Sequence, residues 1–258
     1  GLRVGNAGDT HCLSGCTVVL PDRAATAAVD VRGGGPGTRE TDLLSPDGTV
    51  EQIDALVLSG GSAFGLDAAS GVQAWLAARG RGFAVGDFNV PIVPAAILFD
   101  LMNGGDKNWG DQPPYRDLAR AACDTAGPAF SLGNQGAGLG AQAGPLKGGL
   151  GSSSLADGDS GWTLGALAAV NSIGNTVMPG QNCFWAWPFE LAGELGGQQP
   201  PTGPVDPAPD YHNKSGLREN TTLAVIATDA PLDKGQLRRL AIMAQDGLAR
   251  AIRPVHSP

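Results

Sequence analysis

Blocks of basic residues and long apolar runs are both missing from this sequence. The 258 residues carry a formal net charge of −8, and the 17 Lys and Arg residues form no cluster. Because binding to phosphates needs a positive patch, we expect no nucleic-acid partner. No apolar run reaches the length of a membrane span, so we expect no membrane partner. The expected location is the cytoplasm, although the chain begins with Gly1 rather than Met, which leaves a removed signal peptide open.

Cysteine and histidine are scarce as well. Four cysteines are too few and too scattered for a disulfide framework, and we expect reduced, buried thiols at Cys12, Cys16, Cys123 and Cys183. His11, Cys12 and Cys16 lack a second pair of ligands, so we predict no metal site, and no cofactor is expected. A Ser-His-Asp triad is poorly supported, because no recognisable motif contains any of the three histidines, His11, His212 and His256.

Glycine, by contrast, is abundant, with 40 residues. The sequence GAGLGA at residues 136–141 matches the loose dinucleotide-binding pattern GxGxxA. No convincing strand leads into it, and Pro145 follows where the helix of such a site should begin. Nucleotide binding is therefore not favoured.

Strand-like and helical segments occur without regular βαβ alternation. Residues 16–20 and 24–31 are predicted to form a hairpin around Pro21-Asp22-Arg23, and helices are predicted over residues 62–79 and 116–126. The clearest helix covers residues 234–252, where Asp233 and Gln236 could form a capping box. This mixture favours an α+β fold, and the length allows one domain over residues 1–258.

Two connecting segments are of interest. Residues 188–219 are dense in Pro, Gly and polar residues, and are predicted to form an exposed linker loop. Ser59-Gly60-Gly61 ends an apolar strand and begins a helix, so its backbone N–H groups could hold an anion or a carbonyl oxygen. The alternative is a tight packing turn.

Asn220-Thr221-Thr222 lies where this linker enters an apolar strand. A hydroxyl residue there suits a protein that cuts its own backbone, with the Thr221 hydroxyl attacking the carbonyl of Asn220. The new N-terminal threonine would then carry nucleophile and base together, because its α-amine has a pKa of about 7.7–8.0. The alternative is that Thr221 and Thr222 are simply β-branched residues that begin a strand.

Four segments, in the expected order, resemble the DmpA/nylon-oligomer hydrolase family, which is peptidase family S58 and comprises self-processing amidases and aminopeptidases. They are VDVRGGGPGTR at residues 29–39, LSGGSAFGL at 58–66, NTTLAVIATD at 220–229 and ARAIRPVH at 249–256. The resemblance implies an α/β/β/α layered sandwich, as in this family and in the ornithine acetyltransferases. An Asn-Thr cleavage site is typical of the branch that hydrolyses 6-aminohexanoate oligomers.

The resemblance also implies roles for individual residues. Thr221 matches the nucleophile, cut free from Asn220, and Asn171 matches the asparagine whose amide stabilises the oxyanion. Lys147 matches a lysine that adjusts the amine pKa or holds the substrate carbonyl. Alone, Asn171 would be interpreted as a turn residue and Lys147 as a solvated surface charge.

Substrate-binding positions are expected at Gly60, Gly61 and Phe99. Phe99 falls in the segment where the oligomer-hydrolase branch has a tyrosine, so any hydroxyl role there is lost or moved.

The cut would divide the chain into a larger subunit, residues 1–220, and the start of a smaller one, residues 221–258. Family members continue past the last helix into a segment with an acidic or hydroxyl pair that orients the nucleophile. We therefore expect the C-terminal part of the family domain to lie beyond this chain. A homotetramer is also expected from the resemblance.

The favoured function is hydrolysis of amide bonds in short oligoamides, including 6-aminohexanoate (nylon) oligomers or polyamides. The alternatives are an aminopeptidase or β-aminopeptidase acting on short peptides, acyl transfer of the ornithine acetyltransferase type, and an unprocessed relative that only binds a small ligand.

Overall fold

The computed structural model describes residues 1–206 and 220–256, which form two main β-sheets and three α-helices. The helices are α1 (Ala68–Ala77), α2 (Tyr115–Asp124) and α3 (Lys234–Ala251). The strands are β1 (Leu2–Asp9), β2 (Ser14–Pro21), β3 (Ala25–Thr26), β4 (Thr38–Arg39), β5 (Gln52–Ile53), β6 (Leu56–Ser59), β7 (Phe83–Val85), β8 (Phe88–Val90), β9 (Ala95–Ile97), β10 (Gln142–Ala143), β11 (Leu146–Lys147), β12 (Gly149–Ala156), β13 (Thr163–Asn171) and β14 (Thr221–Thr228).

The first sheet has the strand order β1-β2-β6-β9-β4, with β6 and β9 parallel and the other pairs antiparallel. Every residue of β2 is buried, because both faces of this sheet are covered. Side chains alternate between the faces. Val18 and Val57 lie in one apolar cluster with residues of α1 and α2, whereas Val19 and Leu58 lie in a second cluster with residues of the other sheet.

The second sheet is the antiparallel set β12-β13-β14. Its Leu150, Leu167 and Ala169 are buried against the first sheet. Beyond it lies α3, which contacts β14. The described layers therefore run helices, sheet, sheet, helix, which confirms the α+β prediction and its layered α/β/β/α form.

Several local predictions are confirmed and others are wrong. At the start of α3, the Asp233 carboxylate accepts from the Gln236 N–H at 2.8 Å and the Gln236 side chain accepts from the Asp233 N–H at 2.9 Å, which is the predicted capping box. The predicted hairpin around Pro21 is wrong. The hairpin partner of β2 is β1, and the short β3 pairs with β5 instead.

The predicted linker is partly described. Over residues 188–206 the backbone makes turns, and the carboxylate of Glu190 accepts hydrogen bonds from the N–H groups of Leu195, Gly197 and Gln198 at 2.8, 2.7 and 2.5 Å. These bonds lower the pKa of Glu190 against the opposing effect of desolvation. The remainder of the linker, residues 207–219, lies outside the described residues.

No helix within residues 1–206 and 220–256 has the length and apolar character that would allow it to cross a membrane. A hairpin formed by β7 and β8 is exposed, and the side chains of Phe83, Val85, Phe88 and Val90 all face solvent in part, at 65, 53, 75 and 45% exposure.

Candidate active site

The register of the second sheet brings two predicted site residues together. Strand β13 ends at Asn171, β14 begins at Thr221, and the two residues are direct partners across the antiparallel pair. Directly opposed residues of an antiparallel pair have Cα atoms about 4.5–5.5 Å apart. Residues separated by fifty positions in the sequence are thus neighbours at one end of the sheet.

The side-chain amide of Asn171 is held at both ends. Its oxygen accepts a hydrogen bond from the backbone N–H of Gln142 at 3.0 Å, and its Nδ2 donates to the carbonyl oxygen of Phe99 at 2.7 Å. With 2% exposure, the residue is buried. These contacts fix the orientation of the amide, with its NH₂ group on the side of Phe99. The role of Asn171 as an oxyanion donor remains a prediction.

Lys147 is connected to Asn171 through Gln142. Strands β10 and β11 form a two-stranded hairpin in which Lys147 is the partner of Gln142, whose N–H holds Asn171. The side chain of Lys147 is exposed. The structure therefore places Lys147, Asn171 and Thr221 near one end of the second sheet.

The backbone amides of the predicted anion-binding turn are already occupied. The N–H of Gly60 donates to Gly15 O at 2.9 Å, that of Gly61 to Asp100 Oδ1 at 2.7 Å, and that of Ser62 to Leu98 O at 3.1 Å. Of the two interpretations of this segment, the occupied N–H groups favour the tight packing turn over a site for an anion or a carbonyl oxygen. Contact between substrate and Gly60 or Gly61 remains a prediction.

The need for glycine in this turn has a different cause. Gly61 has φ of +85°, and a Cβ there would lie 2.1 Å from Tyr115 Cζ. A Cβ on Gly60 would lie 2.3 Å from both Asp100 Oδ2 and Ser14 Oγ. The two glycines thus allow the backbone to lie directly on a buried polar network.

That network was not predicted from the sequence. Asp100 Oδ2 accepts from Ser14 Oγ at 2.7 Å, and Ser14 Oγ accepts from Tyr115 Oη at 3.1 Å. Desolvation raises the pKa of the Asp100 carboxyl, and hydrogen bonds from Ser14 and Gly61 oppose this rise. Ser14 is 86 positions from Asp100 and 101 positions from Tyr115, so no local sequence motif indicates this network.

Phe99 takes part through its backbone. Its carbonyl oxygen accepts from Asn171, while its side chain is half-buried. A direct contact of Phe99 with substrate stays a prediction.

The glycine-rich segment at residues 136–141 serves packing. Gly136–Gly138 forms a 3-10 turn in which a Cβ on Gly136 would lie 2.3 Å from Thr17 Oγ1. The same Thr17 hydroxyl accepts from the N–H of Ala137 at 3.0 Å. These glycines therefore let the segment lie against β1 and β2.

The four cysteines are free and buried, as predicted. Burial raises the pKa of the Cys16 and Cys123 thiols to about 12. These groups are therefore protonated near neutral pH and poor nucleophiles. No group of three or more His, Cys, Asp or Glu side chains that could hold a metal is present within residues 1–206 and 220–256.

Solved structures of similar fold show to which fold class this chain belongs. An L-aminopeptidase D-Ala-esterase/amidase from Ochrobactrum anthropi, described as a variant of the Ntn hydrolase fold, is similar with a TM-score of 0.71 and 22% identity over 98% of this chain and 68% of that one. A β-aminopeptidase from Burkholderia sp. is similar with a TM-score of 0.66 and 22% identity over 97% of this chain and 66% of that one. This chain thus has the Ntn hydrolase fold and spans about two thirds of those chains' length.

The family follows from the sequence. Residues 1–258 match the model of peptidase family S58, and the chain belongs to that family. An uncharacterized aminopeptidase of Mycobacterium tuberculosis strain H37Rv is 47% identical over 247 residues, covering 95% of this chain and 70% of the relative. A 6-aminohexanoate-oligomer endohydrolase of Kocuria sp. is 26% identical over 272 residues, covering 100% of this chain and 70% of the relative.

Proposed function

We propose that this protein cuts its own backbone between Asn220 and Thr221 and then uses Thr221 to hydrolyse amide bonds. The observation that carries the proposal is the direct opposition of Thr221 to Asn171 at the end of the second sheet. A nucleophile beside a buried, oriented amide donor is the arrangement that an acyl-transfer reaction requires.

Self-cleavage would proceed by an N-to-O acyl shift. The Thr221 hydroxyl oxygen attacks the carbonyl carbon of Asn220, its proton passes to the departing amide nitrogen, and an ester replaces the peptide bond. Water then hydrolyses the ester, which leaves a carboxylate on Asn220 and a free α-amine on Thr221. The acyl shift only rearranges bonds, and the hydrolysis step adds one water molecule.

Substrate hydrolysis would repeat this chemistry in two steps. The α-amine of Thr221 takes the proton of its own hydroxyl, and the oxygen attacks the substrate carbonyl to form an acyl ester. The protonated amine gives its proton to the leaving amine, and water then releases the acid product. No histidine is required for either step.

Asn171 would stabilise the oxyanion of each tetrahedral intermediate. Its amide is fixed by Gln142 and Phe99, so little reorganisation is needed when charge develops. A preorganised donor of this kind contributes about 2.7–4 kcal/mol to the transition state. The exposed Lys147 would lower the pKa of the Thr221 amine as a nearby cation, which keeps more of the amine unprotonated near neutral pH.

The substrate class is a short linear amide, with two candidates. The first candidate is aminopeptidase activity, which is supported by the 47% identical relative that is described as an aminopeptidase. The second is hydrolysis of 6-aminohexanoate oligomers, which is supported by the Asn220-Thr221 sequence and by relatives of that description at 26–27% identity.

A panel of substrates tests these candidates. It contains α-peptides, β-peptides and linear 6-aminohexanoate oligomers, each with a free or an acetylated amino terminus. An aminopeptidase cleaves only the substrates with a free amine, whereas an endohydrolase also cleaves acetylated oligomers internally. Thr221→Ala is the matched inactive control. If neither set is hydrolysed by the wild-type protein, the proposed function is wrong.

A further inference from the structure

Asp100 is a buried carboxylate that the proposed chemistry leaves unused. It is 3% exposed, and none of the ion pairs found within the described ranges involves it. Burial raises the pKa of Asp100, and the Lys107 ammonium, beyond ion-pair distance, opposes this rise. A buried charge is costly unless hydrogen bonds compensate. The hydrogen-bond partners of Asp100 therefore indicate which elements it holds in place.

Each carboxylate oxygen of Asp100 holds a different element. Oδ1 accepts from the N–H of Gly61 in the turn after β6, at 2.7 Å. Oδ2 accepts at 2.7 Å from Ser14 Oγ at the start of β2, and Tyr115 at the start of α2 donates to Ser14 at 3.1 Å. The side chain thus ties three elements of the first sheet and its helix layer to one point.

Asp100 directly follows Phe99, whose carbonyl oxygen accepts from the side chain of Asn171, the proposed oxyanion donor. The carbonyl group that accepts from Asn171 Nδ2 at 2.7 Å belongs to Phe99, and it forms the peptide bond with the nitrogen of Asp100. Because the peptide unit is planar, the Phe99 carbonyl, the Asp100 nitrogen and the Asp100 Cα form one rigid group, and the anchored Asp100 side chain holds one end of it. The orientation of the Asn171 amide therefore depends on how firmly Asp100 is held.

We propose that Asp100 is a positioning residue of the active site: by anchoring the peptide between Phe99 and Asp100, it orients the Asn171 amide toward Thr221. This inference rests on the proposed function, because it assigns Asp100 to the reaction through Asn171. Asp100 itself does not touch the substrate. Its effect is on the geometry of the donor, to which reaction rates are steeply sensitive.

Asp100→Asn disturbs this anchor with minimal change of shape. The asparagine oxygen can still accept from Gly61, but its NH₂ group faces Ser14 Oγ, which already accepts from Tyr115. Ser14 then faces two donors and loses the acceptor for its own proton. The peptide between Phe99 and Asp100 is expected to shift, and Asn171 with it.

Asp54 offers a matched control. It is also a buried carboxylate, 7% exposed, and its Oδ2 accepts a backbone N–H, that of Ile92, at 2.9 Å. It precedes β6, whereas the Gly60-Gly61 turn follows that strand, so Asp54 lies at the opposite end. Asp54→Asn therefore imposes a similar structural disturbance away from Asn171.

The test compares full-chain wild type, Asp100→Asn and Asp54→Asn. For each protein the rate of self-cleavage, kcat, KM and the thermal unfolding midpoint are measured. We expect Asp100→Asn to slow self-cleavage and kcat by roughly 10- to 100-fold, with KM changed less than about threefold, because the transition state loses more than the ground state. Asp54→Asn should retain wild-type rates even if its unfolding midpoint falls.

The inference is overturned if Asp100→Asn matches Asp54→Asn in both rates, or if only KM changes. Should Asp100→Asn fail to fold, Tyr115→Phe removes the hydroxyl that donates to Ser14 and nothing else. It should slow both rates by roughly three- to tenfold, and wild-type rates would overturn the inference. A wild-type protein that neither cleaves itself nor hydrolyses amides would refute the proposed function itself. An active wild-type protein with an equally active Asp100→Asn variant would refute only the role of Asp100.

Discussion

Asn171 and Thr221 are direct partners across the antiparallel pair of β13 and β14. One residue ends its strand and the other begins the next, so both lie at the same edge of the second sheet. Asn171 is also fixed by Gln142 and Phe99, which come from outside that sheet. The pair therefore joins the strand that begins at Thr221 to the buried elements that hold the Asn171 amide.

Loss of the Asn171 amide should slow the chemistry more than it weakens binding. We predict that Asn171→Ala lowers kcat by roughly 10²–10³ and slows self-cleavage, because both pass through a similar oxyanion. Asn134→Ala is the matched control, since the Asn134 amide also donates to a backbone carbonyl, that of Gly148, at 3.1 Å. Steady-state kinetics with wild-type rates for Asn171→Ala would return the residue to a purely structural role.

The pH dependence of kcat should follow the Thr221 α-amine. Activity is predicted to rise with pH as the amine loses its proton, in the range of an ordinary α-amine pKa or below it. Lys147→Met removes a cation that disfavours the protonated amine, so the amine pKa increases and the rise moves to higher pH. Because Lys147 is exposed and screened by solvent, the shift should be less than about one unit.

The histidines provide the control for this pH profile. Replacing His11, His212 and His256 by Gln, singly and together, should leave the profile unchanged. Loss of turnover in a folded, self-cleaved histidine variant would contradict the amine as base.

Lys234 should stabilise the fold across the predicted cut. It is 4% exposed, and its Nζ donates to three backbone carbonyls, those of Leu43, Gly48 and Val50, at 3.0, 3.2 and 2.9 Å. Lys234→Met leaves these acceptors without their donor, and we predict a loss of about 1.5–3 kcal/mol in the free energy of unfolding. Arg239→Met, exposed on the same helix, should change it little. Equal denaturation midpoints for the two variants would show that this contact contributes nothing.

Self-association remains a prediction. The exposed hairpin of β7 and β8 presents four apolar side chains, including Phe83 and Phe88, and patches of this kind commonly mark interfaces. We predict by light scattering a particle several times heavier than the 26.1 kDa chain, and a lower mass for the double variant Phe83→Ser/Phe88→Ser. A clean wild-type monomer at micromolar concentration would reject the homotetramer.

Local patterns in the sequence were sufficient for part of this structure. The capping residues and apolar periodicity predicted α3, and the apolar run that follows Thr222 predicted β14. The Asp100 network could not be found this way. Ser14, Asp100 and Tyr115 meet only because β2, the segment after β9 and α2 converge, and each looks unremarkable in its own segment.

Pairing between strands was predicted less well for a similar physical reason. The turn residues after β2 favoured a hairpin with residues 24–31, yet β2 pairs with β1 and β6 in the first sheet. Burial of both faces of β2 decides its neighbours, and this depends on the whole layer rather than on the adjacent turn. The sequence left the Gly60-Gly61 turn open between anion binding and packing, because the acceptors of its N–H groups, Gly15 and Asp100, are distant in sequence.

Intact-mass analysis of the purified protein shows directly whether Thr221 becomes an N-terminal nucleophile by self-cleavage. We predict two pieces of 220 and 38 residues from the 258-residue chain, with the smaller beginning Thr-Thr-Leu-Ala on N-terminal sequencing, and one uncut chain for Thr221→Ala. A single uncut wild-type chain that still hydrolyses amides, or cleavage at this bond that persists in Thr221→Ala, would contradict it.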